Sequence, residues 1–322
     1  MSSSDVAAIE VVRNGFTESV HRARVVVTGP DGAVQHALGD VGAPMFPRSS
    51  NKPLQAVAMV RAGLDVEGEL LALVAASHSG EGFHREGVRR ILGGCGLEVS
   101  ELQNTVDHPS DEVERERWIR EGHHREAIAM NCSGKHAGML RTCRHNGWSR
   151  SDYLDPSHPL QRRCRETVAE LAGEEVAADA VDGCGAPLHG ISLAGLARAF
   201  GRIAAADAGP ELKVADAIRQ HPEWTSGTRR EEAAIHRAVP GSVGKAGAEA
   251  VYAVGLADGR GLALKVVDGG PRGVPLLMAE LLLALGHDAP ALHRLRTVPV
   301  LGHGRPVGEV RVVPGLLQDL TR

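Results

Sequence analysis

Ser49 and Lys52 stand three residues apart in Arg48-Ser49-Ser50-Asn51-Lys52-Pro53-Leu54-Gln55. On a helical turn, residues i and i+3 share a face. A hydroxyl beside an amine that loses its proton in a poorly solvated pocket makes a nucleophile and its base. The stretch from Leu54 to Ala62 is apolar at nearly every position and is closed by Gly63, the pattern of a core helix. The octet therefore sits where a loop enters a buried helix. The N-terminus of that helix offers unpaired N–H groups to a developing oxyanion. The plainer reading is a serine-rich helix cap with a surface lysine. Pro53 disfavours helical backbone at Lys52, so a tight or distorted first turn is expected.

Four further segments carry reactive side chains among small residues: 77–82, 131–138, 182–187 and 244–249. Small residues let backbone approach a ligand closely. Arg48 is placed to clamp a substrate carboxylate, against the alternative of an ordinary surface arginine. Glu81 and Asp182 are candidates for an α-ammonium, against loop capping. His136 is counted with the substrate-binding residues, and backbone near Gly247 is a second candidate for holding an oxyanion.

These side chains need a scaffold. The chain has 322 residues, enough for two domains or one large α/β unit. Residues Ile9 to Arg13 and Ala23 to Thr28 read as strands, and Ala33 to Leu38 returns after a Gly29-Pro30-Asp31-Gly32 turn. Helical patterns follow at about 67–76, 84–92, 112–121, 133–145, 159–171, 191–206 and 210–220. The tail returns to strands at 250–256, 261–267 and 307–313, with a buried helix at 274–285. Strands at both ends and helices between predict one mostly antiparallel sheet built from the two termini. The expected lobes are an α/β lobe from about 1–63 and 240–322 and a helical lobe from about 64–239.

Composition bounds the function. The chain is 43% hydrophobic and 24% charged, with net charge −4 and 3% aromatics. There is no basic patch for nucleic acid. No apolar run reaches the ~18 residues of a membrane span. Met1-Ser2-Ser3-Ser4-Asp5 lacks the basic and apolar regions of a signal peptide, which points to the cytoplasm. The five cysteines, Cys95, Cys132, Cys143, Cys164 and Cys184, are scattered and odd in number. They read as thiols or metal ligands and not as a disulfide frame.

Taken together, Arg-Ser-Ser-x-Lys-Pro (48–53), Ser-His-x-Gly-Glu (77–81), Asn-Cys-Ser-Gly-Lys-His-Ala-Gly (131–138) and Asp-Gly-Cys-Gly-Ala-Pro (182–187) resemble the L-asparaginase II family of the Rhizobium inducible, thermolabile type. The match runs from about residue 9 to 313. The resemblance implies an α/β fold like that of serine β-lactamases and glutaminases, with an all-α lobe. It implies an amidohydrolase that releases ammonia from L-asparagine, and a tendency to form homodimers. On it Ser49 maps to the nucleophile and Lys52 to its basic partner. Ser77 maps to a second serine, paired with a lysine placed at Lys245, with Lys265 as the rival. Ser79 stands where the family often has asparagine. Cys132, Lys135 and Cys184 map onto a zinc site. Lysine is a rare ligand that must bind as the neutral amine, and His136 is the more orthodox neighbour. The alternatives are a glutaminase or esterase on the same fold, and a non-catalytic zinc-binding sensor.

Overall fold

The computed structural model describes residues 5–320. Four of the five N-terminal residues read above against a signal peptide lie outside that range. The strands are β1 (Val6–Arg13), β2 (Phe16–Thr28), β3 (Val34–Leu38), a short β4 (Pro44–Met45), β5 (Ala178–Val181), β6 (Pro187–Ser192), β7 (Val243–Gly247), β8 (Val251–Gly255), β9 (Gly261–Val266), β10 (Val298–Gly302) and β11 (Arg305–Val312). The helices are α1 (Lys52–Arg61), α2 (Gly68–Val74), α3 (Gly82–Gly93), α4 (Glu112–Arg120), α5 (Ser133–Asn146), α6 (Pro159–Ala172), α7 (Leu193–Ala205), α8 (Gly209–Gln220), α9 (Pro222–Thr225), α10 (Glu231–Ala238), α11 (Val274–Ala284) and α12 (Pro290–Leu295).

The main sheet runs β10-β11-β1-β2-β9-β8-β7, and β3 also pairs with β2. Every pairing is antiparallel. Strands from the two ends of the chain interleave, so neither terminal segment forms a sheet alone. The α/β architecture expected from the strand-helix-strand order is the one observed.

β2 begins seven residues before the expected Ala23. Asn14 and Gly15 both have positive φ, 47° and 81°, the backbone a tight two-residue hairpin requires. The Asn-Gly pair was the available signal. It was masked because the first half of β2, from Phe16 to Arg22, is largely exposed and polar. Five other strands, β4, β5, β6, β7 and β10, were not foreseen as strands, the first two being only two and four residues long. β6 merges with α7 into one apolar run, β10 lies in a Pro-containing segment, and β7 occupies residues read as a glycine-rich loop.

The sheet is covered on both faces. One face meets α1, α2, α5, α6 and α7 in a core that includes Leu54, Val57, Leu73, Leu140, Phe200, Ala253 and Ala263. The other meets α10, α11 and α12 around Ile9, Val25, Tyr252, Leu264, Leu277 and Leu281. Side chains alternate between these cores along β2, β8 and β9. α7 lies directly on the sheet because two glycines make room. A Cβ at Gly255 would fall 2.0 Å from the Phe200 carbonyl oxygen, and one at Gly261 would fall 1.9 Å from that of Ala197.

Candidate active site

The octet folds as expected at an entry to a buried helix. A 3-10 turn over Arg48–Asn51 precedes α1, the tight first turn that Pro53 requires. Ser50 is the serine that stabilises the turn, its buried hydroxyl donating to Pro47 O at 2.6 Å. Ser49 is half-buried, and its hydroxyl makes no hydrogen bond among the described residues. Arg48 holds φ 52°, a left-handed conformation costing about 1 kcal/mol in a non-glycine residue. Gly247 at the end of β7 is packed against the same turn. A Cβ there would meet Pro47 O at 2.6 Å, Ser50 N at 3.0 Å and Ser49 N at 3.3 Å.

Lys52 points inward from the first turn of α1 and is 1% exposed. Its Nζ donates to Ala76 O at 2.7 Å, Ser77 Oγ at 2.8 Å and Cys132 Sγ at 3.1 Å. Three acceptors match the three N–H bonds of an ammonium. The structure thus brings Lys52 and Ser77 together, whereas the contact expected between Lys52 and Ser49 is not formed. A neutral Lys52 would give up one donor, and Ser77 is the contact that can reverse, its hydroxyl donating to the amine lone pair.

The pairing of Ser77 with Lys245 is also not formed. Lys245, in edge strand β7 and fully buried, donates to Glu232 Oε1 at 2.6 Å and Ala246 O at 2.8 Å. Burial lowers the Lys245 pKa to about 8, with Glu232 opposing and the charge of Lys52 adding to the fall. Glu232 is itself held down at about 2: burial pushes it up, but Lys245 and Arg230 outweigh burial. Lys265, the rival, is half exposed and bonds the Glu249 and Val266 carbonyls, on the flank of the hairpin. Glu232 was missed in the sequence. It sits in an Arg-Arg-Glu-Glu run that reads as a solvated face, and only the approach of α10 to the sheet edge buries it.

A second group of buried polar atoms continues from Lys52. Cys132 accepts from Lys52 and lies beside Cys184, which accepts from Lys135 Nζ at 3.2 Å. Cys132 is pushed well up by its hydrogen bond to Cys184 and by burial, and so keeps its proton. Cys184 is pulled far down, first by that same bond and then, against burial, by Lys135. Burial works against the Lys135 charge, but the sulfurs of Cys184 and Cys132 and the Asp182 carboxylate hold its pKa above the ordinary value. The result is a contiguous chain: Ser77, Lys52, Cys132, Cys184, Lys135. His136 Nδ1 is bonded to Tyr153 Oη at 2.8 Å, while its Nε2 is buried without a hydrogen-bond partner. Burial lowers His136 to about 4, so the ring is neutral.

The donor set suits a soft or borderline metal. Two sulfurs and an amine converge, one sulfur favours the thiolate, and a neutral imidazole nitrogen nearby is unpartnered. Among the described residues no group of three or more His, Cys, Asp or Glu is placed to hold a metal ion. An ion here would need Lys135 as its third donor.

Two candidates for the substrate's charged groups are engaged with each other. Arg48 Nε donates to Asp182 Oδ1 at 2.7 Å, tying the serine turn to the loop of Cys184. Glu81 accepts from Ser79 Oγ at 2.6 Å, Thr228 N at 2.9 Å and Thr228 Oγ1 at 2.7 Å. It braces the 77–82 loop against residues 225–228, a partnership of residues some 150 apart that no local pattern could show. All five cysteines are free of disulfides.

An α/β chain that gathers a free serine hydroxyl, a buried lysine and a second serine at a helix entrance has the parts of an acyl-transferring hydrolase. The L-asparaginase II family model matches residues 9–312, and the chain belongs to that family. No curated protein matches the chain. Among solved structures it is similar to a β-lactamase from Mycobacterium bovis, at 17% identity over 81% of this chain and 94% of that one, with a TM-score of 0.45. It is similar to Mglu in its glutamate form at 15% identity, covering 81% of this chain and 61% of that one, with a TM-score of 0.45. The hydrolase EstCE1, described as having promiscuous acyltransferase activity, aligns at 12% identity over 80% and 92% of the two chains, with a TM-score of 0.42. Among the described residues no helix is long and apolar enough to cross a membrane.

Proposed function

We propose that this protein hydrolyses the side-chain amide of L-asparagine to L-aspartate and ammonia through a Ser49 ester. Membership of the L-asparaginase II family supports the reaction class. The observation that carries the assignment of parts is the buried Lys52 amine, bonded to Ser77 one helical turn from the unbonded Ser49 hydroxyl.

In this reading Lys52 starts as the neutral amine. Ser49 Oγ attacks the amide carbon while its proton passes to Lys52, directly or through Ser77. The Oγ–C bond forms and the carbonyl becomes an oxyanion, stabilised by amides at the start of α1 and beside Gly247. The proton on Lys52 moves through Ser77 to the amide nitrogen. The C–N bond then breaks and ammonia leaves. Water adds to the ester, Lys52 takes its proton, and collapse releases aspartate while Ser49 Oγ regains a proton. Lys245, held by Glu232, sets a second buried amine on the strand that packs against the serine turn. Arg48 and Asp182, paired with each other, open to meet the substrate's α-carboxylate and α-ammonium.

Zinc belongs to the same proposal. Cys132, Cys184 and Lys135 would hold it, and it would supply a fixed positive charge to polarise the reacting carbonyl. The homodimer is likewise a proposal and rests on family likeness.

The deciding experiment is ammonia release by purified protein from L-asparagine, L-glutamine and no substrate, with nitrocefin hydrolysis in parallel. Asparagine turnover that disappears in Ser49→Ala is the expected result. Preference for glutamine or nitrocefin, or equal turnover by the variant, overturns the proposal.

A further inference from the structure

The strand that carries Lys245 has a cavity behind it. It is about 530 Å³ and lies among β7, β8, the start of α10, the start of α11 and the segment after α12. Ala246 pairs with Tyr252 and Lys245 pairs with Ala253 in the β7–β8 ladder. Tyr252 belongs to the core on one face of the sheet and Ala253 to the core on the other. The cavity, lined by Ala246 and Tyr252, therefore opens on the face away from the Lys52 network.

Two polar groups in it lack partners. Tyr252 is 1% exposed, and its hydroxyl has no hydrogen bond among the described residues. Burial holds that phenol protonated, so it is a standing O–H donor. Arg230 spends Nη2 on Glu232 Oε2 at 3.2 Å, but its Nε is buried and unpartnered. A buried polar group without a partner costs about 1–3 kcal/mol, and two on one wall, both donors, ask for acceptors. Arg294 adds positive charge at the exposed rim and Glu231 negative charge beside it. Glu232, the other acid, is already bonded to Lys245 and Ala246 N. Much of the remaining wall is apolar, from Ala250, Val274, Leu276, Leu295 and the prolines.

We infer that this cavity is a binding site for a small carboxylate with an apolar body, its two oxygens taken by the Tyr252 hydroxyl and the Arg230 guanidinium. A planar carboxylate accepts two donors side by side, and its tail takes the place of water against the apolar wall. A compact polyanion such as phosphate is less suited, because the apolar lining offers it no further donors and Glu231 repels it. The site is distinct from the Ser49 cleft. It adjoins the Ser49 turn at two of its own walls: Gly247 packs against that turn, and Glu232, bonded to Arg230, holds Lys245.

The test is calorimetric titration of the full chain with hexanoate, 1-hexanol and inorganic phosphate, repeated on Tyr252→Phe and Arg230→Gln. Tyr252→Phe removes only an oxygen that bonds nothing, so folding should be unaffected, and circular dichroism checks it. The inference expects one hexanoate site, weakened about tenfold or more in each variant, the loss of one hydrogen bond to a charged group. Equal binding of hexanol, binding that neither variant weakens, binding of phosphate without hexanoate, or no heat for hexanoate would each overturn it.

Discussion

Ser49 and Ser50 are adjacent and chemically identical, yet only one hydroxyl is committed. Ser50 closes the turn on Pro47 O, and Ser49 is half-buried and unbonded among the described residues. Ser49→Ala should therefore abolish turnover, by about a thousandfold or more, with no shift in the denaturation midpoint. Ser50→Ala should act on stability, losing about 1 kcal/mol for the hydrogen bond. Measuring ammonia release and urea midpoints for both separates the two roles. Lys52→Met asks a different question: it leaves Ser77 and Cys132 without their donor, so activity and stability should fall together. If Lys52→Met retained turnover, the proton route described above would be wrong.

At the scale of elements, β7 holds the site from behind at two points. Gly247→Ala places a Cβ 2.6 Å from Pro47 O. Strand and serine turn must separate, so kcat should drop with a modest stability cost of about 1–3 kcal/mol. The Lys245–Glu232 pair gives a pH signature. Glu232 has a folded pKa of about 2 against an ordinary 4.5. Its contribution is present above pH 4.5 and lost as pH falls toward 2. Lys245 has a folded pKa of about 8 against 10.5. Its burial costs stability below pH 8, and that cost is relieved as pH rises from 8 to 10.5, since the unfolded chain then binds more protons. The two shifts are of similar size and opposite effect, so at neutral pH the pair adds little net stability. Glu232→Gln should still destabilise, by about 3–5 kcal/mol, because it leaves Lys245 buried and unpaired. Urea midpoints measured from pH 3 to 10 should show a shallower acid-side slope in that variant, the remainder coming from other lowered carboxyls such as Asp65, Asp111 and Glu170.

At the scale of the molecule, residues more than 100 apart meet around one helix entrance. Lys52, Cys132 and Cys184 come from three separate segments, and Arg48–Asp182 ties the first of these to the last. If zinc binds, metal and fold should be linked. Added zinc should raise the thermal midpoint, release protons on binding, and do neither in Cys132→Ser or Cys184→Ser. Unchanged midpoints with zinc in the intact protein would count against the metal. The close seat of α7 on the sheet makes a second prediction at this scale. Gly255→Ala or Gly261→Ala must push α7 off β8 and β9, at a cost of about 3 kcal/mol or more in unfolding free energy.

The sequence alone determined the elements whose pattern is local. The hairpin and helix periodicities, the serine turn strained by Pro53, the buried α1 and the order of strands at both ends are all short-range properties. Four motifs carried the family and placed Ser49, Lys52, Ser77, Cys132, Lys135 and Cys184 within it. Only the tertiary structure decided which amine meets which oxygen. Lys52 lies three residues from Ser49, yet its reach along the core takes it to Ser77, twenty-five residues away. Lys245 is held by Glu232, because α10 folds against a sheet edge that reads in sequence as a glycine-rich loop. Spacing along a chain fixes which face a side chain leaves from. The hydrogen-bond partner it finds there depends on which distant segment packing brings to that face.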